Sequence, residues 1–323
     1  TDGSIFLRAS DLALKVGTMS AAGAINLLTV NGSIVGGSIT TTNGSVSLVS
    51  SADIGLGAIT AGGNLSALAL AGVIGQTDSK VASAAGTILI KALGDITLTG
   101  IVSASSATDA VTVQSLAGAI VDGGDTNLDI VANSTGAVTT LLAVKGIGSG
   151  NALETRLATL SVTNTTSGDI EISESDALRI ASLSQSASGG AKVHAGGNLN
   201  VVGAVSVGKA LALSSGAAVT VGGLISGSTV TISGETGVAL DEKVTATVDD
   251  IVITSNGAID ARSTLEAARH VTLTSDGATS IGGTVTANSG KVSVTAGGAY
   301  KQTGDGAGHT GGDTSGGASA TVT

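Results

Sequence analysis

Histidine and clustered carboxylates are the side chains here from which hydrolytic chemistry could be built, so their spacing comes first. The imidazoles are His194, His270 and His309. His270 stands immediately before Val271, and Asp250 and Lys291 hold the same place before Ile251 and Val292. Opposite charges at matching positions of neighbouring strands are a routine surface pairing, so Asp250, His270 and Lys291 read as an outward ladder. Hydrolysis of a glycosidic bond needs two carboxylates on one face. Asp241 with Glu242 is the nearest candidate, followed by Asp249 with Asp250 and Asp122 with Asp125. No second carboxylate pair recurs at matching offsets, and Asp241 falls in register with Arg262, which predicts an ion pair between successive repeats.

Other site chemistries find less. Gly304-Asp-Gly-Ala-Gly308 and Gly311-Gly-Asp-Thr-Ser-Gly-Gly317 resemble glycine-aspartate calcium repeats weakly, without the apolar anchor of the nonapeptide pattern. Gly-x-Gly triplets are expected by chance among 50 glycines, and no Lys-Ser or Lys-Thr follows them in a strand-to-helix setting. The sequons at Asn133 and Asn164 carry no weight in a chain rich in Asn and Thr. With no cysteine, disulfides and thiolate metal sites are excluded. No catalytic, cofactor-binding or metal-binding residue is assigned from the sequence.

The elements that would have to position such groups are repeats. Thr229–Ser233, Asp250–Thr254, His270–Thr274 and Lys291–Thr295 share one pattern, and their leading apolar residues Val230, Ile251, Val271 and Val292 are 21, 20 and 21 positions apart. The same apolar-x-apolar unit occurs at Ile5/Leu7, Ile25/Leu27, Val46/Leu48, Leu65/Ala67, Ile88/Ile90, Val111/Val113 and Leu128/Ile130, with steps of 20, 21, 19, 23, 23 and 17. From about 131 to 190 the register is irregular. Alternation of Val, Ile, Leu and Thr with period two makes each unit one or more short strands. Pairs such as Asn31-Gly32, Asn43-Gly44, Asp122-Gly123, Asn256-Gly257 and Asp276-Gly277 supply the turns.

A 20-residue unit of this kind cannot bury its own apolar face, so neighbours must stack. The predicted fold is all-β: a parallel β-helix of about 15 coils, on the order of 70 Å long at about 4.8 Å per coil. Composition agrees. An average chain of this length holds roughly 16 prolines, whereas this one has none, because every coil must donate backbone hydrogen bonds on both sides. One Phe and one Tyr suit a narrow lumen, and a mean hydropathy of +0.46 with 12% charged residues excludes a disordered chain. The net charge of −10 argues against nucleic acid and anionic membrane surfaces as partners. The charge-free stretch Ile54–Thr77 is broken by glycines and polar residues too often to span a membrane, and two aromatic residues cannot build the girdles of a membrane barrel.

Ala61-Gly-Gly-Asn-Leu65, Ala195-Gly-Gly-Asn-Leu199, Gly94-Asp-Ile-Thr-Leu98 and Thr165-Thr-Ser-Gly-Asp-Ile-Glu-Ile172 resemble the repeat region of filamentous-haemagglutinin-like exoproteins, adhesins exported by two-partner secretion. The resemblance covers nearly all of residues 1–300 and implies a right-handed parallel β-helix, secreted or held at a bacterial cell surface. It implies a non-enzymatic rod, the shaft of an adhesin or surface filament, in settings such as biofilm. Its partners would be neighbouring repeats or identical subunits stacked end to end, and host or matrix glycans and proteins. The secretion domain with Asn-Pro motifs is not in this sequence, so the chain is expected to be part of a longer protein or a filament subunit. Two alternatives stand beside this reading: a subunit that polymerises by head-to-tail stacking of terminal coils, and a polysaccharide-processing β-helix enzyme. Residues 1–303 read as one repeat domain, and 304–323 as a flexible Gly/Ser/Thr-rich segment.

Overall fold

The computed structural model describes residues 3–76, 81–186, 188–303 and 319–322. All regular elements among the described residues are β-strands, and every strand pairing found among them is parallel. The chain is a parallel β-solenoid of about 14 turns, as the repeat predicts. It divides into two compact units, Thr1–Ser173 and Glu174–Thr323.

In the first unit a coil contributes three strands, as in Ile25–Thr29, Ile34–Val35 and Ser38–Thr41, followed one coil on by Val46–Ser50, Ile54–Leu56 and Ala58–Ala61. The five-residue strands alternate between buried and half-buried positions, because successive side chains of a strand leave opposite faces. In one inward stack Leu14 pairs with Ile34 and seven isoleucines follow: Ile34, Ile54, Ile74, Ile96 and Ile120 pair in order, and Ile147 and Ile170 continue it through isolated bridges. All seven are at most 1% exposed. Burying each such side chain is worth about 1.5–3 kcal/mol, which is how a narrow lumen holds together without aromatic rings.

The strand ends account for the serine and threonine content. Thr29 and Ser50 are buried at the last position of their strands, and both donate a hydroxyl to the carbonyl of Gly32, at 2.6 and 2.8 Å. Ser115 does the same for Gly94 at 2.8 Å. These hydroxyls satisfy turn carbonyls that the ladders leave over, so Thr29, Ser50 and Ser115 are buried with a partner.

In the second unit the coils run as Thr229–Gly234, Gly237–Leu240, Val244–Ala246, then Ile251–Ser255, Ala258–Ala261, Leu265–Ala267. Val230 pairs with Ile251, Ile251 with Val271 and Val271 with Val292, the register expected from the 20- and 21-residue steps. In the glycine-rich C-terminal segment, Ser319–Val322 forms a strand paired with Val292–Ala296, where a tail was expected. The calcium-like glycine-aspartate stretches and His309 lie outside the described residues.

One register expectation is corrected. Leu128/Ile130 does not follow Val111/Val113. Val111 pairs with Thr139, 28 positions on, and Val113 with Leu141, while Ile130 stacks on Ile101 in a different face of the coil. The cause is a longer corner. Two residues separate the strands Ile96–Leu98 and Ile101–Ser103, but seven, residues 123–129, separate their partners Ile120–Asp122 and Ile130–Ala132.

Candidate functional site

The lengthened corner reads Asp122-Gly-Gly-Asp-Thr-Asn-Leu-Asp129. Asp122 ends a strand paired with Ile96–Leu98, and the chain then turns at Gly124, whose φ of 84° is the left-handed conformation that glycine adopts without strain. Two local bonds fold the corner: Asp122 Oδ1 accepts the N–H of Gly124 at 2.9 Å, and Asp125 Oδ1 accepts the N–H of Asn127 at 2.7 Å. The chain re-enters the solenoid at Asp129, which is 0% exposed.

One coil on, the strand Leu153–Leu157 runs beside Ile130–Ala132, and it brings Glu154 to Asp129. The N–H of Asp129 donates to the carbonyl of Glu154 at 2.8 Å, and the N–H of Glu154 donates to Asp129 Oδ2 at 3.1 Å. Asp122 joins them, so that one carboxylate oxygen from each of Asp122, Asp129 and Glu154 lies within 4.8 Å of the others. The Asn151 side-chain amide donates to Asp122 Oδ2. Asp129 Oδ1 and Glu154 Oε2 are buried and have no hydrogen-bond partner. Among the described residues, no lysine or arginine lies within ion-pair distance of the three carboxylates.

Such a cluster cannot hold three negative charges comfortably. Burial, followed by the negative charge of Asp122, pushes the Asp129 carboxyl up to about 8, and burial and Asp122 also raise Glu154. Chemically, an all-oxygen acidic set of this kind can share protons or ligate a hard cation. It is poorly placed to act on a polymer, because the most perturbed acid is fully buried.

The residues singled out from the sequence lie elsewhere. Arg262 Nη1 is 2.7 Å from Asp241 Oδ1, the expected pair between successive coils, and Arg262 Nη2 is 2.6 Å from Asp260. Glu242 is exposed. Asp249 meets Arg269 at 2.8 Å. Asp250, His270 and Lys291 do occupy equivalent places, joined through side chain and backbone: Asp250 Oδ1 accepts the N–H of His270 at 2.9 Å, and His270 Nδ1 accepts the N–H of Lys291 at 3.0 Å. That second bond needs an unprotonated Nδ1. The same device recurs where Asp53 Oδ1 accepts the Val73 N–H and Asp95 Oδ1 accepts the Ala119 N–H. His194 Nδ1 lies 3.0 Å from Ser214 Oγ on an outward face. Asn164 of the second sequon is 1% exposed and donates its amide to the carbonyl of Ser167 at 2.9 Å.

Sequence reasoning noted Asp122 and Asp125 and missed Asp129 and Glu154. The available signal was four Asp and Asn side chains within eight residues, 122–129, in a chain with 24 acidic residues. Glu154 could not be reached, because its neighbourhood depends on the register that the long corner displaces. No family model, curated protein or solved structure matches the chain, and among the described residues no helix is long and apolar enough to cross a membrane.

Proposed function

We propose that this chain is an extracellular structural module, the stacked-coil shaft of a bacterial adhesin or surface filament, without catalysis. The observation that carries the reading is that in each unit coil stacks on coil, in regular register outside the long corner at 123–129, with inward apolar stacks and corner hydroxyls or carboxylates bonded to the backbone of an adjacent coil. Unbroken parallel ladders leave few backbone groups for a protease to engage, which suits a protein that works outside the cell. The resemblance of the Gly-Gly-Asn-Leu and Gly-Asp-Ile repeats to haemagglutinin-like exoproteins supports the same assignment. Labelling of intact producing cells with an antibody against this chain tests it. Signal without permeabilisation is expected, and signal only after permeabilisation would overturn the extracellular assignment.

A further inference from the structure

We propose that Asp122, Asp129 and Glu154 bind one calcium ion, which ties the long corner of one coil to the next. The cluster alone would not carry this. What points to a ligand is Asp129 Oδ1, an ionisable oxygen on a fully buried residue, without any hydrogen-bond partner and beside two more carboxylates, one of which, Glu154, also has a buried unpartnered oxygen. A buried carboxylate oxygen is normally paired with a donor or a cation, and here the surroundings offer neither among the described residues.

The donor set selects the ion. All three donors are carboxylate oxygens, with no imidazole or thiolate, which disfavours zinc and suits a hard cation. Oxygens lying within 4.8 Å of one another can share one ion. A site made of protein carboxylates suits calcium, which takes six to eight oxygens in flexible geometry, better than magnesium, which keeps several of its waters. Asp122 and Asp129 bracket the seven-residue corner and Glu154 belongs to the following coil, so one ion would cross-link both ends of the insertion to its neighbour. An ion that binds the folded chain and not the unfolded one stabilises it by mass action.

The test is calcium titration of the full chain after treatment with chelator, followed by equilibrium dialysis with CaCl2 and by thermal melting. One ion bound per chain and a melting temperature raised by several degrees are expected, with the rise reversed by chelator. Asp129→Asn keeps the buried shape and removes the charge, so it should still fold while binding calcium at least tenfold more weakly. Glu154→Gln should weaken binding similarly. No bound calcium in the wild-type chain would overturn the proposal, as would binding that survives both substitutions. An equal response to MgCl2 would overturn the choice of calcium.

Discussion

Asp129 and Glu154 hold each other through the backbone in both directions, Asp129 N–H to the Glu154 carbonyl at 2.8 Å and Glu154 N–H to Asp129 Oδ2 at 3.1 Å, while Asp129 Oδ1 stays unpaired. The ladder therefore forces two carboxylates together at the point where the solenoid departs from its regular repeat. Other coils are filled by aliphatic side chains and closed by corner hydroxyls or single carboxylates, so three acidic groups within 4.8 Å make this a site of concentrated negative charge.

The first prediction concerns the metal-free chain. Asp129 keeps its proton in the fold up to about pH 8, whereas an unfolded aspartate loses it near 3.8. Between those values the native state binds more protons than the unfolded state, so this group's contribution makes stability fall as pH rises. In chelator, Asp129→Asn should melt higher than wild type at pH 8, by an amount on the order of 1–3 kcal/mol, with a smaller difference at pH 5. Paired melts of the two proteins at both pH values read this directly.

Core and surface of one coil should respond very differently. Val271 is 0% exposed and pairs with both Ile251 and Val292, so Val271→Asp would bury an unpaired charge and cost more than about 4 kcal/mol. Asp276 is exposed, and only its backbone N–H is used, toward the Ser255 carbonyl, so Asp276→Ala should cost under about 0.5 kcal/mol. Chemical denaturation of the two variants is the check, and equal tolerance would mean that the register is wrong.

Glycines should divide by how closely coils approach. A Cβ at Gly257 would sit 1.9 Å from the Thr236 carbonyl oxygen, whereas at Gly282 the nearest atom is 3.7 Å away. Gly257→Ala should destabilise by about 1–3 kcal/mol through backbone displacement, and Gly282→Ala should be close to neutral. Thermal melting compares them.

Surface charge pairs should matter little. Lys243 Nζ lies 2.7 Å from Glu266 Oε2 with both side chains about two-fifths exposed, and that bond holds the Glu266 carboxyl below its ordinary value. A depressed carboxyl stabilises above its unfolded value near 4.5, and the contribution is lost as pH falls below it. Lys243→Ala should therefore cost about 0–1 kcal/mol at pH 7 and progressively less as acid protonates Glu266. Arg262→Ala should be similarly mild despite meeting both Asp241 and Asp260, and raised salt should shrink its effect.

Much of the architecture was legible because period-two alternation and a 20-residue step are local in sequence. Val230, Ile251, Val271 and Val292 stack as their spacing says, and Asp241 meets Arg262 for the same reason. The candidate site was not legible. A 28-residue step hides inside an apparent run of short ones, since Ile130 imitates the next repeat while belonging to another face. Once that register slips, nothing in sequence places Glu154, 25 positions away, against Asp129. The hydroxyl-to-carbonyl corners were likewise invisible, since a serine that bonds Gly32 and one that faces solvent are the same letter.

The central claim, that each unit is a stack of parallel coils, is tested most directly by the distances between spin labels placed at the stacked positions Thr231, Val252, Thr272 and Ser293. Separations that grow by about 4.8 Å per coil are the predicted result. Separations that do not grow with the number of coils between the labels would contradict it.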